Sequence, residues 1–338
     1  HKKHGPDFQD TYTDWALRRV RSWSLNTLGA WSKASLDQPE ELKTPYTFFV
    51  WWNGGRPVKP FQKLRDPFDP DFVKKMQVPL KGYLKQTVND PYCIGYYCHN
   101  EIHWGKDPLK QVRAVLTDCR DNVYMKKELV QFIDEAGDDS DETMLAFYRH
   151  MLDTYYRKCR EAFKTVAPNK LYLGSRIHDD AMRKEVVSAA AKYCDVVSIN
   201  IYEKEPIFNI RKERDRPFFP EDKPFLIGEF HFGALDRGKF AAGLGFAADQ
   251  RNRGEQYVHY IQSALRNPRC IGAHWFHYTD SPTGTRYQDP ENFNAGVVNN
   301  ADSVYPELVE AMRSVGPRMY DWRRSCGVDE LREEEEKD

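Results

Sequence analysis

The chain has 338 residues, with 50 Lys or Arg against 51 Asp or Glu and a net charge of −1. That length allows one large domain or two ordinary ones, and the charge balance offers phosphate backbones no overall attraction, which argues against nucleic acid. No stretch approaches the ~20 apolar residues of a membrane helix, while 40% hydrophobic and 30% charged residues exclude wholesale disorder and describe a soluble globular protein. The 8 Trp, 19 Tyr and 19 Phe supply a heavily aromatic core, and some are expected to line a groove for flat ligands such as sugar rings. The seven cysteines form no C-x-x-C pair and no cluster with His at metal-ligand spacing, so neither disulfides nor zinc define this fold. The chain opens on His1 without a signal-peptide pattern and reads as a mature or trimmed product.

In chain order, short apolar β-type runs alternate with longer amphipathic stretches. Asp10 to Arg21 suits a helix, and Leu25 to Trp31 reads as a strand leading into a loop. Pro45 to Trp52 (P-Y-T-F-F-V-W-W) is a strong strand, Asp69 to Val88 is helical apart from Pro79, and Cys93 to His99 is a buried-type strand. Lys106 to Ala167 predicts two or more helices, with Met144, Phe147, Tyr148, Met151, Leu152 and Tyr155 at helical spacing. Leu171 to Ser175 is a strand, Asp179 to Tyr193 a helix, and Val196 to Tyr202 and Phe225 to Phe230 are strands. A Gly-rich segment through Gly245 precedes a helix at Gln250 to Arg266, Ile271 to Tyr278 is the last strand, and Tyr305 to Val315 a closing helix. Residues 326–338 read as an acidic tail, leaving 1–325 as one expected domain.

The alternation predicts an α/β fold with parallel strands. No G-x-G-x-x-G or G-x-x-x-x-G-K-[ST] follows an early strand, so a nucleotide-binding sheet is the weaker reading. The stronger one is a (β/α)8 barrel, whose active site gathers at the C-terminal strand ends. Seven strands are legible where a barrel needs eight, and the polar, Pro-interrupted opening cannot supply the first. The first strand is therefore expected to be absent from this chain.

Two strand ends carry a Glu where apolar residues give way to polar ones: Y-C-H-N-E ends at Glu101, and I-G-E-F-H contains Glu229. Two carboxyl groups facing each other across a barrel are what glycoside hydrolysis needs. One protonates the leaving oxygen while the other attacks the anomeric carbon or directs water to it. The bland alternative is that both simply pair with Arg or Lys. Arg176, His178, His231 and His277 also lie at strand ends, each a candidate for sugar contact or for structural hydrogen bonding. Trp31, Trp104 and the Trp51-Trp52-Asn53 end are candidate stacking positions; only one of Trp51 and Trp52 is expected to face substrate, with Trp52 and Asn53 taken as the site residues. Asp280 and Glu291 are mouth-loop carboxylates, read either as site groups or as salt-bridge partners of Arg286.

The strings around these residues resemble glycoside hydrolase family 50, the β-agarases, within the clan A retaining glycosidases. They are R-S-W-S-L-N-T-L-G-A-W-S (Arg21 to Ser32), H-N-E-I-H-W-G (His99 to Gly105), L-Y-L-G-S-R (Leu171 to Arg176), V-V-S-I-N-I-Y (Val196 to Tyr202) and I-G-E-F-H-F-G-A-L-D-R-G (Ile227 to Gly238). G-A-H-W-F-H-Y-T-D (Gly272 to Asp280), E-N-F-N-A-G (Glu291 to Gly296) and Y-P-E-L (Tyr305 to Leu308) complete the series. The resemblance implies a retaining hydrolase of β-galactosidic linkages in agarose-type galactan, with Glu101 as general acid/base and Glu229 as nucleophile. Glu101 then needs a raised pKa and Glu229 an ionised carboxylate, favoured by donors such as Tyr202. Asn100, beside His99, would hold the hydroxyl next to the reacting carbon, and Trp275 would floor the reacting sugar.

Two departures touch the substrate face. His277 stands where the family more usually has Gln, and Q-D-P-E-N precedes and includes Glu291 where it tends to have D-G-E-N. Carrageenan- or porphyran-type galactans, an unrelated β-linked sugar, and a non-catalytic galactan-binding relative therefore stay open. No metal or organic cofactor is implied. The expected partners are the polysaccharide or its oligosaccharides, with neither nucleic acid nor a membrane span. The resemblance also implies a secreted, periplasmic or cell-surface location and an N-terminal β-rich region in relatives. An upstream segment or chain supplying that region and the first strand is the corresponding expectation.

Overall fold

The computed structural model describes residues 5–33, 36–178, 182–203, 222–287 and 289–325. The expected acidic tail lies outside them. The described residues fall into two compact units, one drawn from 46–199 with 222–224 and the other from 5–45, 200–203 and 225–325. They are called here, after their carboxylates, the Glu101 unit and the Glu229 unit.

In the Glu101 unit, β1 (Tyr46–Val50), β2 (Cys93–Cys98) and β3 (Leu171–Tyr172) form a sheet in that order. All pairings are parallel, with Tyr46 opposite Cys93, Val50 opposite Cys98 and Gly95 opposite Leu171. Five of the six β2 residues are buried, as expected for a parallel strand covered on both faces. Gly95 answers a steric demand: a Cβ there would meet the Leu171 carbonyl oxygen at 2.4 Å. The short β4 (Ile177–His178) and β5 (Val197–Asn200) belong to a second sheet.

Helices connect these strands. In α2 (Phe72–Tyr83), Phe72, Met76 and Leu80 make a buried stripe at i, i+4 and i+8, while Pro79 removes one helical hydrogen bond without ending the helix. The Lys106 to Ala167 region resolves into α3 (Pro108–Asp118), α4 (Tyr124–Ala136) and α5 (Asp141–Val166). Asp107 caps α3 by accepting from the Lys110 N–H at 3.1 Å, and Ser140 caps α5 through the Thr143 N–H at 3.3 Å. The six apolar positions expected on one α5 face are all buried. Each contributes about 1.5–3 kcal/mol in removing its side chain from water. α6 (Lys184–Tyr193) completes the unit.

The Glu229 unit contains α1 (Phe8–Ser22), β6 (Phe225–Phe230), α7 (Gln250–Arg266), β7 (Cys270–Trp275) and α8 (Pro306–Val315). β6 and β7 are parallel, pairing Phe225 with Cys270 and Phe230 with Trp275, and every β6 residue is buried. Asp280 is a structural hub: it is buried and accepts from Asn294 at 3.0 Å, the Gly296 N–H at 2.9 Å and the Tyr305 hydroxyl at 2.6 Å. Asp280 is thus held by neutral donors and not by the expected salt bridge to Arg286.

Two expectations need correction. Leu25 to Trp31 is not a strand but an irregular segment with an isolated bridge residue at Leu28, whose N–H donates to the Pro45 carbonyl at 2.9 Å. An isolated bridge residue does not extend into a ladder, whatever the β propensity of its neighbours. Conversely β4 was not foreseen, because two residues after a turn carry no periodicity to read. Described residues thus hold seven strands, as expected in number but not in membership. The six described cysteines are all free and buried. No described helix is long and apolar enough to cross a membrane.

Candidate active site

In the Glu229 unit, β6 places Glu229 one residue from its end and only 5% exposed. A hydrogen bond from the Ile201 N–H to the Glu229 carbonyl (3.0 Å) brings Tyr202 alongside. The Tyr202 hydroxyl donates to Oε2 at 2.5 Å, and the Trp31 indole N–H donates to Oε1 at 2.6 Å. One donor on each oxygen is the pattern an ionised, acceptor-only carboxylate takes. Trp31 is half-buried, so this expected sugar platform is first a hydrogen-bond partner of Glu229.

His231, read as a sugar contact or a structural group, is buried. Its Nδ1 lies 2.9 Å from the Phe276 carbonyl oxygen, and its Nε2 accepts from the Leu244 N–H at 3.0 Å. Burial, helped by Arg253, pushes its pKa down to about 3, so the ring is neutral. His277 is pushed down to about 4 by burial and by Arg286, against a smaller upward pull from Glu229. Arg286 is the local cation: it pairs bidentately with Asp289 (2.9 and 2.7 Å), reaches Glu291 at 2.7 Å and lies 5.6 Å from the Phe276 ring centre. The salt-bridge reading of Glu291 is therefore realised.

In the Glu101 unit, β2 ends at Cys98 and the chain turns through His99 (φ 63°), Asn100 and Glu101 (φ 50°). The Glu101 N–H donates to the Arg176 carbonyl at 3.1 Å, and Arg176 itself has φ 40°. Left-handed non-glycine backbone is costly and gathers where function holds it, and here three such residues meet at the end of one strand. His99 is hydrogen-bonded through Nδ1 to the Tyr155 hydroxyl (2.7 Å) and packed against Trp52. Burial, reinforced by Arg65, takes its pKa to about 4. The Arg176 guanidinium is buried, 5.5 Å from the Tyr97 ring centre and 5.8 Å from that of Phe49, within cation–π range. His178 is half-buried at the end of β4.

The Trp52 and Trp104 expectations are corrected. Trp104 is 1% exposed and wedged against Tyr155 and Tyr156. Trp52 is 3% exposed and packed on Phe72 and His99, whereas Trp51 is 57% exposed. One of the pair does face outward, but it is the other one. Trp275 donates its N–H to the Ala295 carbonyl at 2.8 Å, and its ring sits among Phe230, Tyr257 and Arg253. The buried rings of Trp52 and Trp104 contribute to packing and leave no open face for a sugar, whereas Trp275 is half-buried. Asn53 is exposed, with a long 3.4 Å contact from Arg65.

His103 and His274 were missed. His103 is exposed; its pKa is lowered first by desolvation and then by Lys63, while Glu101 pulls it up and His178 pushes it down, so these groups share one neighbourhood. Its position two residues after Glu101 was the available signal. His274 lies 3.4 Å from where a Cβ on Gly29 would stand. Strand alternation sends it to the side of β7 opposite Trp275.

No family model matches the chain. Among curated proteins it is similar to β-agarase B of Vibrio sp. (strain JT0107), 30% identical over 363 aligned positions that take in 94% of this chain and 38% of that protein. β-Agarase A of the same strain is 32% identical over 92% of this chain and 36% of its own length. Among solved structures, an exo-β-agarase superposes with a TM-score of 0.83 at 28% identity, covering 95% of this chain and 48% of the other. The chain has a mixed α/β, parallel-stranded fold, and the relatives it resembles are named as agarases. More particularly, it is similar to the β-agarases of glycoside hydrolase family 50. It spans little more than a third of the length of these curated relatives.

Proposed function

We propose that this chain hydrolyses β-galactosidic linkages of agarose-type galactan by double displacement, with Glu229 as nucleophile and Glu101 as acid/base. The observation that carries the reading is the doubly donated Glu229 carboxylate at the end of β6. Its agarase relatives support the substrate class. The parallel strands, each separated from the next by helix or loop, are read as parts of a (β/α)8 barrel with Glu101 and Glu229 at C-terminal strand ends.

In the first step a Glu229 oxygen attacks the anomeric carbon, while Glu101 gives its proton to the departing glycosidic oxygen. The products are a glycosyl ester on Glu229 and the free leaving sugar. In the second step Glu101 takes a proton from water, whose oxygen attacks the same carbon and releases Glu229. Trp31 and Tyr202 aim the carboxylate, and Asn100 is assigned to the neighbouring hydroxyl. The mechanism requires the two carboxyls about 5–5.5 Å apart. A polymeric substrate of this kind also favours action outside the cytoplasm.

The test incubates the protein with agarose, porphyran, carrageenan and synthetic β-galactosides, identifying products and the anomer first formed. Retained configuration with agarose products is expected. Undiminished turnover in Glu229→Ala, or an inverted first product, would overturn the mechanism. Cleavage of only the sulfated galactans would move the substrate.

A further inference from the structure

The strand-end residue next but one to the nucleophile has a role that nothing above assigns. Both ring nitrogens of His231 are committed. Because the Leu244 N–H can only donate, Nε2 must be the bare nitrogen, and Nδ1 carries the proton given to the Phe276 carbonyl. With neither nitrogen free, the ring has no hydrogen bond left for a sugar. What it touches is Tyr202, edge to face with ring centres 4.9 Å apart, and Tyr202 is the donor to Glu229 Oε2.

The surroundings are shaped to hold this ring. Gly243 has φ +115°, and a Cβ there would fall 2.2 Å from His231 Nε2. Any side chain at 243 would displace the imidazole or the Leu244 amide. Phe276 and Phe293 flank the ring, with centres 6.3 and 6.1 Å away. Four chain segments therefore close on the imidazole that follows β6: Tyr202, the glycine-rich loop at 243–245, Phe276 after β7, and Phe293.

We infer that His231 is a positioning residue, which the Phe276 carbonyl and Leu244 amide lock as the Nδ1–H tautomer so that its ring fixes the Tyr202 hydroxyl on Glu229. The orientation matters because the Glu229 oxygens must point at the reacting carbon, and a hydroxyl free to rotate away would leave one of them unaimed. His231 thus acts through Tyr202 and never touches substrate. The inference rests on the proposed role of Glu229, and its test separates the two.

The test combines a kinetic cycle with a crystal structure. Tyr202→Phe, His231→Ala and the double variant are assayed on whichever galactan the wild type cleaves. Each single variant is expected to lose about tenfold to a hundredfold in kcat with KM little changed. The double variant should fall no more than about threefold below the worse single one, because both remove the same contact. His231→Asn, which keeps a donor for the Phe276 carbonyl, should recover part of the loss. The crystal structure of His231→Ala, or of His231→Asn if Ala fails to fold, should show the Tyr202 hydroxyl beyond hydrogen-bond distance of Glu229. Losses that multiply in the double variant, or a Tyr202 hydroxyl still on Oε2, overturn the inference. If the wild type cleaves nothing, the proposed function fails, and the crystal structure still decides the role of His231.

Discussion

Tyr202 reaches Glu229 Oε2 at 2.5 Å while Trp31, 171 residues earlier than Tyr202, reaches Oε1 at 2.6 Å. A carboxylate held on both oxygens is oriented before substrate arrives, and preorganisation of this kind is where much of an enzyme's rate originates.

Trp31→Phe keeps the ring and removes only the N–H. A hydrogen bond to a charged group is worth about 1.5–3 kcal/mol. Turnover should therefore fall about tenfold to a hundredfold, while the thermal midpoint moves little. Steady-state kinetics with a melting curve check this; an unchanged kcat would show that Oε1 needs no donor.

Glu101→Ala should abolish proton donation but leave Glu229 able to attack. Activity on an aryl galactoside with a good leaving group should survive far better than on agarose, since that group needs no proton. Added azide should then release a β-galactosyl azide, detectable by NMR. Equal loss on both substrates would remove Glu101 from the acid role.

Phe147 lies on the buried face of α5, stacked near Phe68 and edge-on to Phe132. Truncation in Phe147→Ala leaves a cavity and should cost about 3–5 kcal/mol. Urea denaturation reads this directly, and a loss under 1 kcal/mol would mean the site collapses to fill the space.

Acid should destabilise the fold earlier than carboxylates alone predict. Burial pushes His231 down to about 3, and His99 and His277 down to about 4, whereas all three return to about 6.5 on unfolding. Below pH ~6.5 the unfolded chain binds protons that the folded one refuses. Stability is thus full above that pH and falls as pH drops, by up to about 1.4 kcal/mol per unit for each ring. Denaturation curves at pH 7, 6 and 5 measure the slope, and His277→Gln should flatten it. An identical slope in that variant would contradict the assignment.

Much of the architecture was legible in the sequence because the patterns that announce it are local. The Gln250–Arg266 helix matched its expected bounds, and the apolar stripe of α5 was read at the residues it buries. Errors arose where a property belongs to a partner. Leu25 to Trp31 has strand-like residues but forms an isolated bridge at Leu28 rather than a ladder. The choice between Trp51 and Trp52 turns on which side of β1's end meets Phe72 and His99, and nothing in the dipeptide encodes that.

The sequence by itself determined the alternation of strands and helices, the two strand-end glutamates and the family resemblance, since each is written in spacing or in contiguous strings. Tertiary structure alone decided what each polar side chain does. Trp31 became a donor to Glu229, Glu291 an ion-pair partner of Arg286, and His231 a ring with both nitrogens spent. Hydrogen bonds and ion pairs act over about 3 Å, and these partners lie 5 to 198 residues apart in the chain. Only folding makes them neighbours.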